Sequence, residues 1–387
     1  MRLTQQRSPR APSRPTGRRR ASVGLHGLAL CATVVAATAL PPHGTAFAQS
    51  ATAGVAQPTD VSALQAPSER EGEYAEIDGA RIFYESRGDG PPLMLLHGYP
   101  LSGALFARLR DELDDNHTVI TIDHRGYGLS EADEQPGTIE QYAADALAVM
   151  EELGIGEAAI GGMSMGGPIA FEMFRREPDR FTHVILIDTI AASASPMEAG
   201  IWDGAVERLE AEGLDGIVPF LMPQMLTGET RRDEPAQADY LTEVMRGASL
   251  EAAIGGAKAL RDRPDSTATL DDIEVPTLVL VGLADPVYAY EVSQGMVDAI
   301  GENAEIAIID GASHAAVFEQ PVAAAAAIEG FLSGAGVMPT GEDVPEVETP
   351  DESPAESPAE TPDADASAAT PAVVDDQPET GGPVTND

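Results

Sequence analysis

The chain runs to 387 residues, enough for one large α/β domain or two small ones. Asp and Glu total 64 against 23 Lys and Arg, a formal net charge of −41, and Lys258 is the single lysine. A surface of that sign repels nucleic acid and anionic lipid headgroups, so neither is an expected partner.

The charge is uneven. Residues 1–48 carry seven Arg and no acid, while Gly341 to Asp387 carry 14 acids and no base. The N-terminus reads as a signal peptide over 1–48. Arg18-Arg19-Arg20 precede an apolar run from Ala21 to Leu40, and Thr45-Ala46-Phe47-Ala48 ends in a small-residue site cut after Ala48. The paired Arg resemble a twin-arginine signal, and Sec export stays open. The expected location is periplasmic or extracellular, with no stable membrane insertion after cleavage. The alternatives are an uncleaved anchor, since the run is about long enough to span a bilayer, and lipidation at Cys31. Cys31 is the only cysteine, so a mature chain would have no thiol nucleophile, cysteine metal site or disulfide.

Residues 49–71 read as a linker rich in Ala, Ser, Thr, Gln and Pro. From 335 to 387 the chain turns to Pro, Glu, Asp, Ala, Ser and Thr, a composition too poor in apolar surface to offset the entropy of ordering. Between them, 72–334 alternates strand and helix signals. Glu73 to Ile77 and Ala80 to Ser86 form a hairpin around Asp78-Gly79. Further strands are expected at Pro92 to Leu96, His117 to Ile122, Ala158 to Gly161, Thr182 to Ile187, Thr277 to Val281 and Ile306 to Ile309. Helical spacing marks Leu105 to Leu113, Ile139 to Leu153 and Gly167 to Arg176. Buried strands separated by helices predict an α/β fold with a mostly parallel sheet flanked by helices. From about 190 to 270 strand signals vanish. Helical patterns at Met197 to Glu212, Gly216 to Met225, Gln237 to Met245 and Ser249 to Asp262 predict a helical cap. It carries Trp202, Phe220, Met222 and Met225 as candidate pocket residues, or as ordinary helix packing.

Gly162-Met163-Ser164-Met165-Gly166 is a G-x-S-x-G run with a strand before it and a helix after it. A nucleophile on so tight a turn needs small residues two positions either side. Ser164 is the candidate nucleophile. A serine hydroxyl needs a base. His26 and His43 fall in the signal, and His97, His117, His124 and His183 lie in or beside strands. His314, on the loop after the last strand, is the candidate base. Asp285, after the Thr277 to Val281 strand, is the candidate acid, with Asp188 as its rival. Asp310 is read as a cap of its own loop. The order Ser164, Asp285, His314 suits this arrangement. By position alone, the backbone N–H groups of Tyr99 and Met165 are the candidate oxyanion donors. This chemistry needs no cofactor, and no His, Asp and Glu cluster has metal-ligand spacing.

These residues, with His97-Gly98-Tyr99-Pro100 and Asp123-His124-Arg125-Gly126-Tyr127-Gly128-Leu129-Ser130, together resemble the α/β-hydrolase superfamily over about Gly72 to Ser333. The Gly-x-Ser-Met-Gly-Gly elbow and Arg263-Pro264-Asp265-Ser266 resemble the branch of 3-oxoadipate enol-lactonases and carboxylesterases. The resemblance implies hydrolysis of a small-molecule ester or lactone through an acyl-enzyme. An acidic, exported chain departs from the cytoplasmic enol-lactonases. Cofactor-free perhydrolases (haloperoxidases) share the constellation. An aminopeptidase would need cap acids for a substrate amine, and a non-catalytic ligand-binding protein could retain the fold. Substrate identity and oligomeric state stay open.

In an exporting host the mature chain is expected to begin at Gln49, as read by N-terminal sequencing. Membrane-bound protein that keeps residues 1–48 would show an uncleaved anchor instead.

Overall fold

Eight aliphatic or β-branched segments pair into one twisted sheet. The computed structural model describes residues 61–131 and 137–334. The expected signal, Cys31, most of the linker and the acidic tail lie outside the described residues. The strands are β1 (Glu73–Ile77), β2 (Ala80–Arg87), β3 (Pro92–Leu96), β4 (Thr118–Ile122), β5 (Ala158–Met163), β6 (Phe181–Ile187), β7 (Thr277–Gly282) and β8 (Ala304–Ile309). Their order is β1-β2-β4-β3-β5-β6-β7-β8. β1–β2 and β2–β4 are antiparallel, and all later pairs are parallel. The expected hairpin forms because Asp78 (φ 49°) and Gly79 (φ 86°) both take left-handed conformations, as a two-residue turn of this hand requires.

The helices are α1 (Ala107–Leu113), α2 (Ile139–Glu152), α3 (Gly166–Arg176), α4 (Pro196–Glu212), α5 (Leu214–Met225), α6 (Gly228–Asp233), α7 (Pro235–Arg246), α8 (Leu250–Arg261), α9 (Thr267–Leu270), α10 (Tyr290–Ile300), α11 (Ala316–Glu319) and α12 (Pro321–Leu332). Helices α2 and α3 pack together, as do α1 and α12, while α10 lies on β7 and β8. Helices α4 to α8 leave the sheet between β6 and β7 and pack on one another as the expected cap. Ser195, Thr227 and Ser249 cap α4, α6 and α8 with their hydroxyls. Helix α12 carries no periodic polar stripe that would mark it in sequence; its Ala324, Ala325, Ala327, Ile328 and Phe331 are all buried. No helix among the described residues is long and apolar enough to cross a membrane.

The expected linker is ordered from Val61 onward. Short 3-10 turns at Val61–Ala63 and Pro67–Glu69 lead to Arg70, which is buried. Its guanidinium bonds Glu85 at 2.7 Å and Asp123. Asp123 also accepts the N–H groups of Gly103 and Leu129, each at 2.7 Å. A buried carboxylate needs such partners. Arg70 therefore belongs to the folded domain.

The order β4-β3-β5 reverses direction at β3, and loops at the carboxyl ends of strands around such a switch form a crevice. At that edge burial pushes His97 down to a pKa of about 3 and His124 well below its ordinary value. Both rings stay neutral when folded. In the unfolded chain they protonate below about pH 6.5. Stability therefore falls as pH drops below about 6.5, because the unfolded chain then binds protons that the folded rings do not. Urea unfolding at pH 7 and pH 5 is expected to show a smaller acid loss in His124→Phe than in wild type; equal losses would contradict the assignment.

Candidate active site

Ser164 opens the turn between β5 and α3 with a φ of 52°. An L-residue rarely holds this conformation, and its strain must be offset by what surrounds it. Three fixed bonds do so: Ser164 N–H donates to Ile187 O at 2.9 Å, and Ser164 O accepts Gly167 N–H at 2.9 Å and the Thr189 hydroxyl at 2.6 Å. A Cβ on Gly162 would overlap Gly166 O, and one on Gly166 would overlap Leu96 O, so glycine at both positions lets the turn close.

His314 sits on the loop after β8. Its Nε2 lies 2.9 Å from Ser164 Oγ, and its Nδ1 lies 2.9 Å from Asp285 Oδ2. With Nδ1–H donating to the carboxylate, Nε2 is free to accept the serine proton. Asp285 is fixed in turn, because its Oδ1 accepts the N–H groups of Val287 at 2.7 Å and Tyr288 at 3.2 Å. The rival Asp188 is not joined to the histidine ring. Its two oxygens accept Gly282 N–H at 2.7 Å and Ala316 N–H at 3.2 Å. Burial and the neighbouring Asp285 push its carboxyl well above the ordinary range. Asp310 bonds the N–H of Gly311 at 2.8 Å, within its own loop.

The loop that carries His314 is held at four successive N–H groups. Ser313 donates to Glu319 Oε2 at 2.7 Å, and His314 donates to Gln224 O at 3.2 Å. Ala315 donates to Met225 O at 2.9 Å, and Ala316 donates to Asp188. Gln224 and Met225 end α5, where last-turn carbonyls lack helical partners. Glu319, buried, turns its other oxygen to the N–H and hydroxyl of Thr227, at 2.8 and 2.7 Å. The cap and the histidine loop are thus bonded directly. No sequence period singles out Glu319 or the α5 carbonyls.

The His97-Gly98-Tyr99 loop lies beside Ser164, since Leu96 pairs with Gly162 across β3 and β5. A Cβ on Gly98 would press on Met163 Sδ and Ser164 Cβ, so glycine permits the approach. His97 pins the loop: its Nδ1 bonds Gly98 O at 2.8 Å, and its Nε2 accepts His124 N–H at 3.0 Å. Met165 is the residue before α3, so its N–H has no carbonyl one turn back.

Ser164 and His314 open onto a cavity of about 130 Å³ under the cap. Trp202, Phe220 and Met225 line it as expected, together with Tyr99. Met222 does not. On α5 the cavity-facing residues are Ile217, Phe220, Leu221, Gln224 and Met225, a spacing of one helix face. Met222 falls off that face and packs, partly buried, on the core. His117 pairs with Glu329 at 2.7 Å and does not line this cavity.

A mostly parallel sheet, a serine on a strained strand-to-helix turn and a helical cap define a class of enzyme fold. Residues 91–223 match the family described as alpha/beta hydrolase fold, and the chain belongs to that family. It is similar to an esterase from Thermogutta terrifontis, at 31% identity and a TM-score of 0.64, over 69% of this chain and 99% of that one. It is also similar to 3-oxoadipate enol-lactonase 2 of Acinetobacter baylyi, 27% identical over 64% of this chain and 90% of that protein. A bifunctional esterase/perhydrolase of Acinetobacter calcoaceticus is 29% identical over 56% of this chain and 83% of its own length.

Glu319→Ala removes the acceptor of three buried or part-buried donors and should cost roughly 2–4 kcal/mol in chemical unfolding. Glu319→Gln, which keeps one carbonyl oxygen, is expected to lose less. An unchanged midpoint in both would show that the bonds contribute nothing.

Proposed function

We propose that this protein is an exported serine hydrolase that cleaves a carboxylic ester or lactone through an acyl-enzyme. The observation that carries the reading is the unbroken hydrogen-bond chain from Ser164 Oγ through His314 to Asp285, at the floor of an apolar cavity. In this mechanism His314 Nε2 takes the hydroxyl proton as Ser164 Oγ attacks the carbonyl carbon. Asp285 holds the ring in the needed tautomer and stabilises the imidazolium. The N–H groups of Met165 and Tyr99 receive the oxyanion; losing one such donor typically costs ~10²–10³ in rate. His314 then protonates the leaving alkoxide, and a water deprotonated by the same nitrogen releases the acid. With a lactone the leaving hydroxyl stays on the same molecule. The small-residue site at Ala48 and the basic, apolar N-terminus support export.

The same acyl-enzyme would form a peracid if hydrogen peroxide outcompeted water, in keeping with the name of the Acinetobacter calcoaceticus relative. Peracid formation from acetate and peroxide, against hydrolysis of p-nitrophenyl acetate, separates the two.

The test is hydrolysis of a p-nitrophenyl acyl series from acetate to palmitate. Wild type is expected to turn over short chains, and Ser164→Ala to lose about 10⁴-fold or more in kcat. Asp285→Asn should fall about 10⁴-fold while retaining its fold by circular dichroism. Full activity in Asp285→Asn with none in Asp188→Asn would move the acid to Asp188. Undiminished turnover in Ser164→Ala would refute the serine mechanism.

A further inference from the structure

The cavity wall contains one fixed charge, and its pairing bears on which substrates enter. Ser195 accepts the N–H of Glu198 at 3.2 Å, which sets Glu198 in the first turn of α4. Its side chain lines the cavity and is 23% exposed. Behind it lies Arg263, whose side chain is fully buried. The guanidinium meets the carboxylate with both forks, Nη1 to Oε1 at 2.6 Å and Nη2 to Oε2 at 2.8 Å. Its remaining contacts go to Ala192 O at 2.8 Å and Leu260 O at 3.1 Å. Such a bidentate pair is fixed in geometry and close to neutral as a unit. Among the described residues no Lys or Arg lines the cavity, and His314 is its one basic side chain.

We infer that the cavity selects uncharged substrates, esters or lactones bearing neither a second carboxylate nor an ammonium group, and that the Glu198–Arg263 pair determines this. The inference rests on the ester or lactone hydrolase reading. An entering ammonium finds a carboxylate already neutralised by Arg263. An entering carboxylate meets Glu198 first, with the cation behind it. Either charge would give up its water for an apolar wall without gaining a partner. The cavity volume, about 130 Å³, is close to the ~150 Å³ of an apolar cavity that holds one benzene. It therefore suits one short chain or ring.

The experiment compares kcat/KM on matched pairs with the full chain. On the acyl side, p-nitrophenyl butyrate is set against mono-p-nitrophenyl succinate and p-nitrophenyl 3-aminopropanoate. On the alcohol side, phenyl acetate is set against 4-carboxyphenyl acetate. Wild type is expected to favour the neutral member by about 100-fold on at least one side. Glu198→Gln leaves Arg263 charged and unpaired, and should narrow the gap to the anionic ester by about 10-fold or more. Met197→Arg, at the exposed start of α4, adds a cation without touching the pair and should shift the ratio the same way. Neutral, anionic and cationic esters turned over within threefold of one another would overturn charge selection while leaving the hydrolase intact. An unchanged ratio in both folded variants would remove the pair from the selection. Absence of turnover on every ester would remove the hydrolase reading, and this inference with it.

Discussion

A serine held at a φ of 52° between a buried parallel strand and a helix is the constraint from which the site is built. The turn is expensive for an L-residue and survives only because its backbone is bonded on both sides. It also sets the sequence around it, since Gly162 and Gly166 leave no room for a Cβ. The hydroxyl then stands at the carboxyl edge of the sheet, beside the loop that follows β3. Sheet order matters here as much as local geometry. Because β3 lies between β4 and β5, the His97-Gly98-Tyr99 loop and the serine turn are neighbours in space, though more than 60 residues separate them in the chain.

The second dependence runs through the cap. The histidine loop takes two of its acceptors from the core carboxylates Glu319 and Asp188 and two from the last carbonyls of α5. A displacement of α5 would therefore displace His314 as well as reshape the cavity. The helix that lines the cavity and the loop that carries His314 are thus hydrogen-bonded to each other.

Much of this was legible in the sequence, for physical reasons. Strands β3 to β8 are mostly buried and near-continuous apolar runs, while β1 and β2 are marked by the Asp78-Gly79 turn between them, so all eight are legible to within a few residues. Ser164 and His314 stand out as candidates because a tight Gly-flanked turn and a post-strand loop are local features. Asp285 and Asp188 look alike in sequence, since both follow strands. Only the third dimension shows that Asp188 is occupied by the N–H groups of Gly282 and Ala316 while Asp285 faces the ring. For Met222 the helix-packing alternative holds, since its phase on α5 turns it off the cavity-facing side. Arg70 was hidden by composition. It sits among Ala, Ser and Pro that read as linker, and its partners Glu85 and Asp123 are 15 and 53 residues away. Glu198 and Arg263 are 65 residues apart and carry no shared motif. Long-range pairs of this kind leave no local trace.

The proposed activation of Ser164 by His314 and Asp285 carries the functional reading. It is tested most directly by covalent labelling: the full chain is treated with a fluorophosphonate, digested and read by mass spectrometry. One adduct per chain is expected, on the peptide containing Ser164, formed at least ~10²-fold more slowly in His314→Ala because the hydroxyl has lost its base. No adduct, labelling of a different serine, or a rate that is the same without His314 would contradict it.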